Sequence, residues 1–298
     1  MAPNWTNLVR FISEEDGQIH LGEVDSSTHP DVGISILNGE RIAVKLVKGT
    51  IFDGIVTDTI MHIDRLLAPI GIEEVPIIRC MGLNYRDHAQ EANMPIPDVP
   101  VLFVKPRTAL NGPYPAKINV PKIAQDGSSD YEAELSIVLS KSGRDIPESE
   151  AMKYVLGYTC SNDVSARTQQ FKNSQWSFSK GESSQLFVSQ VYQFARNLEL
   201  TIDSMEKALT DLVHWGRSSY LHPPSATLII CTLERFIMGL WYKSQTLGTT
   251  LEKGTIIMTG TGPGIGALRN PKVVLNDGDD MRVEIEKIGT LINKVYYE

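Results

Sequence analysis

The sequence predicts an α+β protein dominated by mixed β-sheet. Three observations carry this. Apolar and β-branched runs of strand length recur from Leu8 to Ile288. Glycine and proline punctuate the spaces between them. Few stretches carry helical spacing with helix-boundary residues.

In chain order, Leu8–Ile12 and Ile19–Val24 flank the turn Glu14-Glu15-Asp16-Gly17 and read as a hairpin. Ile34–Leu37 and Arg41–Leu46 flank Asn38-Gly39, a two-residue turn signal, and read as a second hairpin. Thr59–Leu67 reads as a short helix stopped at Pro69 and Gly71. Residues 1–75 are thus expected to form a small β-rich N-terminal unit ahead of a larger domain over 76–298. In that domain Val75–Met81 reads as a strand leading into a loop and short helix over Gly82–Glu91. Further strands are expected at Val99–Val104, Glu132–Leu139, Leu156–Ser161, Gly254–Gly260 and Arg282–Ile288, with helix signals at Glu148–Tyr154 and Ser204–Trp215.

The chain has 298 residues, 42% hydrophobic and 21% charged, enough for one or two packed domains. A net charge of −8 argues against a nucleic-acid or anionic-membrane surface. It is compatible with an anionic substrate, because a bound metal and a few basic side chains reverse the sign locally. Cys80, Cys160 and Cys231 are odd in number and widely spaced; they read as reduced thiols rather than zinc ligands or a disulfide framework. Met1–Glu15 has no apolar signal core and is too acidic for a transit peptide. No apolar run approaches the ~20 residues of a membrane helix. The expectation is a soluble protein, cytoplasmic rather than mitochondrial.

The strongest chemical signal is Asp130-Tyr131-Glu132-Ala133-Glu134-Leu135. Residues two apart on a strand share a face, so Glu132 and Glu134 set two carboxylates side by side. Such a pair, if buried, needs a cation or a shared proton. All-oxygen ligation suits Mg²⁺ or Mn²⁺, with Ca²⁺ as the alternative, rather than zinc. Taken alone, such a pair more often marks a solvated strand face at a sheet edge. Asp163 follows the strand in Ser161-Asn162-Asp163 and alone fits a turn or helix cap. His88 and Glu91 lie three apart and share a face of any helix there. A carboxylate beside an imidazole raises its basicity, which suits deprotonation of water; a surface ion pair has the same spacing.

Five motifs occur in one order: Gly82-Leu83-Asn84-Tyr85-Arg86-Asp87-His88; Asp130 to Leu135; Gly157-Tyr158 with Asn162 to Arg167; Lys180-Gly181; and Thr259-Gly260-Thr261-Gly262-Pro263-Gly264-Ile265-Gly266. Together they resemble the fumarylacetoacetate hydrolase family over residues 76–181 and 249–298, and the first 75 residues look like the leader unit of its longer members. The resemblance implies a catalytic domain folded as a mixed β-sandwich roll and a homodimer. It implies Glu132, Glu134 and Asp163 as ligands of Mg²⁺ or Mn²⁺. His88 and Glu91 become a base on a lid helix, and Lys180 a stabiliser of an oxyanion or enolate. Arg167, Gln170 and Thr261 become holders of a small keto-acid substrate. Gly262 stands where family members commonly have proline. Lys105, in Phe103-Val104-Lys105-Pro106, adds a positive charge of no assigned role.

Residues 182–248 break the pattern: no Asn-Gly turn appears, and family character resumes at Thr249. So abrupt a loss points to a frame change or retained intron in the gene model. The expected reaction is hydrolysis of a C–C bond in an acylpyruvate or fumarylacetoacetate-like acid. Decarboxylation of oxaloacetate or keto–enol isomerisation at the same site is the alternative, and an inactive relative is the reading that residues 182–248 motivate.

Overall fold

The computed structural model describes residues 2–99, 101–172, 174–181, 189–190, 194–195, 248–285 and 287–298. The first four strands are β1 (Asn7–Ser13), β2 (Ile19–Glu23), β3 (Ala43–Lys48) and β4 (Ile55–Leu67), with helix α1 (Val32–Leu37) between β2 and β3. Antiparallel pairings β1–β2, β2–β3, β3–β4 and β4–β1 close these strands into a ring. Phe11, Val44, Met61, Ile63 and Leu66 are buried within one apolar cluster.

Two expectations are corrected here. Ile34–Leu37 is not a strand of a hairpin but part of α1. Asp31 caps its first turn by accepting the Ile34 N–H at 3.0 Å. At the other end Glu40 N–H reaches Ser35 O and Gly39 N–H reaches Ile36 O, with Gly39 at φ +74°. That is a glycine helix stop, and Asn-Gly serves it as readily as it serves a hairpin turn. Thr59–Leu67, expected as a helix, lies in the thirteen-residue β4. Its β-branched residues Val56, Thr57, Thr59, Ile60 and Ile63 fit a pleated surface. A register shift opposite Ile12/Ser13 gives the buried positions Ile63 and Leu66 a helix-like spacing of three.

Besides strands of only two residues, there follow β5 (Ile78–Gly82), β6 (Val101–Lys105), β7 (Lys117–Val120), β8 (Ala133–Leu139), β9 (Val155–Asn162), β10 (Ile256–Thr261), β11 (Asp280–Ile285) and β12 (Gly289–Tyr297). Short helices α2 (Arg86–Glu91) and α3 (Arg167–Gln170) follow β5 and β9. Glu148–Tyr154 is helical but of the tighter 3₁₀ kind. The expected helix Ser204–Trp215 lies outside the described residues. The main sheet runs β2-β3-β4-β1, then residues 194–195, then β9-β8-β10-β5-β6. The pairing β10–β5 is parallel, while β8 lies antiparallel to both β9 and β10. A second sheet joins β11, β12 and β7.

Strand β8 is buried along its whole length because both of its faces meet apolar layers. Leu135, Ile137 and Leu139 pack with Met281, Val283 and Leu291 of the second sheet. Val138, on the opposite face, packs with Ile78, Cys80, Phe103 and Met258. At about 1.5–3 kcal/mol per buried aliphatic side chain, this fixes β8 firmly. Glu134 lies on the face of Val138, where the strand leaves the apolar layer.

Candidate metal and acid–base site

The structure brings Glu132, Glu134 and Asp163 together, with one ligand oxygen from each within 4.8 Å of the others. The three are 7%, 1% and 0% exposed, so the solvated-face reading of the carboxylate pair does not hold. Local pairing explains the convergence. Ala133 is opposite Asn162, which sets Asp163, the next residue, beside the start of β8. Asp163 N–H donates to Glu132 O at 2.9 Å and Asn162 Oδ1 accepts the Glu132 N–H at 3.1 Å, so the two ligand segments brace each other.

Positive charge surrounds the triad unevenly. Lys180 Nζ lies 2.7 Å from Asp163 and 2.9 Å from Glu132. Lys105 Nζ lies 2.5 Å from the other Asp163 oxygen, and Arg167 Nη1 lies 2.6 Å from Glu132. Among the described residues Glu134 accepts one hydrogen bond, from the Gly260 N–H at 2.8 Å. Burial works against the Glu132 anion, but Lys180 and Arg167 outweigh it and hold the carboxyl at about 2. Burial and the neighbouring Asp163 and Glu132 push Glu134 well above the carboxylate range. Burial also opposes the Lys180 charge, yet Asp163 and Glu132 raise its pKa, so it stays an ammonium. Three hard oxygen donors, one of which takes a proton when no cation is near, fit a divalent ion such as Mg²⁺ or Mn²⁺.

This asymmetry has a pH signature. In metal-free protein the Glu134 pKa lies above its unfolded value. The stability linked to it is fully present below the unfolded carboxylate pKa and is lost as pH rises through the folded one. Glu132 has the opposite sign, but its contribution is lost only as pH falls toward about 2. The gain in melting temperature on adding saturating Mn²⁺ is therefore expected to grow as pH rises from mildly acidic to neutral. A gain that shrinks over that range would contradict the assignment of Glu134.

The histidine–glutamate pair sits on α2. His88 is 8% exposed, and its Nδ1 lies 3.5 Å from Glu91 Oε2. That is ion-pair range but too long for a hydrogen bond, and Nδ1 has no hydrogen-bond partner among the described residues. Glu91 is occupied elsewhere: its Oε1 and Oε2 accept the Gly264 N–H at 3.0 and 2.9 Å. Thr261 is the register partner of Glu134 and is 7% exposed. Gln170 accepts from Arg167 Nη1 at 2.9 Å, and Arg167 Nε donates to Asp130 at 2.8 Å. Arg167 Nη2 is buried with no partner among the described residues, leaving a donor for an anionic group.

Two groups at the site were outside the set expected from sequence. Lys105 is fully buried, two residues from buried Phe103 on the same face of β6. A lysine in phase with the apolar side of a strand was the available signal. Asp130 is fully buried two positions before Glu132, which extends the acidic alternation by one step.

With this geometry in hand, the comparisons agree. Residues 77–296 match the fumarylacetoacetate (FAA) hydrolase C-terminal family, and the chain belongs to that family. It is 39% identical over 309 residues to caffeoylpyruvate hydrolase of Neonothopanus nambi, covering 100% of this chain and 96% of that one. It is 36% identical to the fumarylacetoacetate hydrolase domain-containing protein 2 homolog of Dictyostelium discoideum (78% and 74% covered). It is 32% identical to the mitochondrial oxaloacetate tautomerase FAHD2A of Homo sapiens (77% and 68% covered). Among solved structures, 2-hydroxyhepta-2,4-diene-1,7-dioate isomerase from Mycobacterium marinum superposes with a TM-score of 0.69 at 26% identity, covering 98% of this chain and 99% of that one. These relatives support an enzyme with a β-rich fold and hydrolase, isomerase or tautomerase chemistry.

Proposed function

We propose that this chain is a divalent-metal-dependent hydrolase that cleaves the C–C bond of an acylpyruvate-type diketo acid. The observation that carries the proposal is the buried triad Glu132, Glu134 and Asp163, with a histidine–glutamate pair on the adjacent α2. Similarity along the whole chain to a caffeoylpyruvate hydrolase supports the substrate class.

In this reading the three carboxylates hold Mg²⁺ or Mn²⁺, which when bound supplies Lewis-acid polarisation of the keto acid. Arg167, Gln170 and Thr261 grip the substrate, with the free Arg167 Nη2 directed at its carboxylate. His88, with Glu91 at ion-pair range beside it, takes a proton from water, and the oxygen adds to the acyl carbonyl remote from the carboxylate. The bond between that carbon and the methylene then breaks. The acyl fragment leaves as a carboxylic acid, and the electron pair passes to the pyruvate enolate. The buried Lys180 ammonium supplies positive charge there, and protonation of the methylene carbon gives pyruvate. The fold is read as the family's mixed β-sandwich roll. A cytoplasmic homodimer is proposed with it.

The tautomerase relatives favour a second reading, in which the same groups shuttle a proton between the keto and enol forms of oxaloacetate. Purified protein with Mn²⁺ is to be given acylpyruvates and oxaloacetate separately and the products identified. The proposal expects pyruvate and a carboxylic acid in equal amounts. Faster enol–keto exchange of oxaloacetate with no acid fragment from any acylpyruvate would replace it with the second reading.

A further inference from the structure

Asp130 is buried and belongs to neither the triad nor the α2 pair, yet it touches the supports of both. Its Oδ1 accepts the N–H groups of Tyr131 and Gly266, each at 2.9 Å. Its Oδ2 accepts Arg167 Nε at 2.8 Å and Ala267 N–H at 3.0 Å. Four donors thus converge on two oxygens. Arg167 leads on to Glu132 through Nη1. Gly266 and Ala267 belong to the loop whose Gly264 N–H holds both oxygens of Glu91. The loop is seated tightly on the carboxylate: a Cβ at Gly266 would lie 2.8 Å from Asp130 Oδ1 and 1.7 Å from Val273 O. The Gly264 carbonyl is fixed as well, by the Tyr131 hydroxyl at 3.2 Å and Arg269 Nε at 3.1 Å.

We infer that Asp130 is a positioning residue that sets the glycine loop, and through it Glu91 on α2, at a fixed place relative to the Glu132 side of the acidic triad. It reaches no reacting atom itself; among the described residues its carboxylate is the one group bonded to both Arg167 and the loop amides. Only a carboxylate fits, because an amide turns one of the two oxygens into a donor facing two donors.

The test is Asp130→Asn, read in two independent ways. Amide hydrogen exchange is followed at Gly264, Gly266 and Ala267 in metal-free protein. Loss of protection is expected at all three, although Asp130 does not touch Gly264; in Glu91→Ala, which removes the acceptor, only Gly264 should lose it. Full protection of Gly264 in Asp130→Asn overturns the inference. The kinetic arm rests on the hydrolase reading. Asp130→Asn is expected to lower kcat about 30-fold, and combined with Glu91→Gln the loss should be at least about fivefold smaller than the product of the single losses. Losses that simply multiply overturn the inference. Wild-type protein that turns over no keto acid removes the hydrolase reading, and exchange alone then decides. If Asp130→Asn does not fold, Ala267→Pro removes one loop donor while keeping the carboxylate, and Gly264 must again lose protection.

Discussion

Glu134→Gln is expected to melt higher than wild type when both are metal-free, and to be inactive. Lys180 favours the Glu134 charge, but burial, Asp163 and Glu132 outweigh it, and among the described residues the carboxylate's one hydrogen bond comes from Gly260 N–H, which a glutamine oxygen accepts equally well. Replacing a group whose ionisation is disfavoured in the fold by burial, Asp163 and Glu132 stabilises it, on the order of 1 kcal/mol or roughly 2 °C for a chain of this size. Asp163→Asn has the opposite sign. Its oxygens are the shared counter-ions of buried Lys105 and Lys180. Breaking a buried pair from one side costs about 3–5 kcal/mol, or roughly 6–10 °C. Both variants should lose more than about 10³-fold in turnover and both should lose the Mn²⁺-induced rise in melting temperature. Differential scanning calorimetry with and without Mn²⁺ checks all of this. Equal destabilisation by the two substitutions would mean that Glu134 is paired in solution and needs no cation.

His88→Gln is expected to lower kcat about 10²–10⁴-fold while leaving the Mn²⁺-induced rise in melting temperature nearly intact. His88 lies on α2, outside the triad, and its Nδ1 has no hydrogen-bond partner among the described residues. Removing it costs the fold little, so chemistry and folding separate. A His88→Gln enzyme that keeps its rate would shift proton transfer to another group, and buried Lys180 would be the first to test.

The sequence revealed most where a residue type and its spacing demanded one environment. Strand β8 was legible because seven residues in a row are buried, with apolar side chains on both faces. The acidic alternation into that strand was legible for the same reason: carboxylates that enter a core need a partner. What stayed illegible depended on contacts distant in sequence. Strand β12 was missed beyond Ile288; it pairs in parallel with β7, over 170 positions earlier, and carries buried Asn293, whose amide donates to Gly112 and Ala116 carbonyls. Lys105 was left without a role because Asp163, its partner, lies 58 residues away. Asn38-Gly39 and Thr59–Leu67 were misread because each local signal serves two structures, and only the Asp31 cap and the bulge in β4 decide between them.

Anomalous diffraction at the manganese edge from crystals grown with Mn²⁺ puts the triad to the most direct test. One strong peak is predicted about 2.1–2.3 Å from an oxygen of each of Glu132, Glu134 and Asp163. Crystals showing no such peak at saturating Mn²⁺, or a peak held by other side chains, would contradict the assignment.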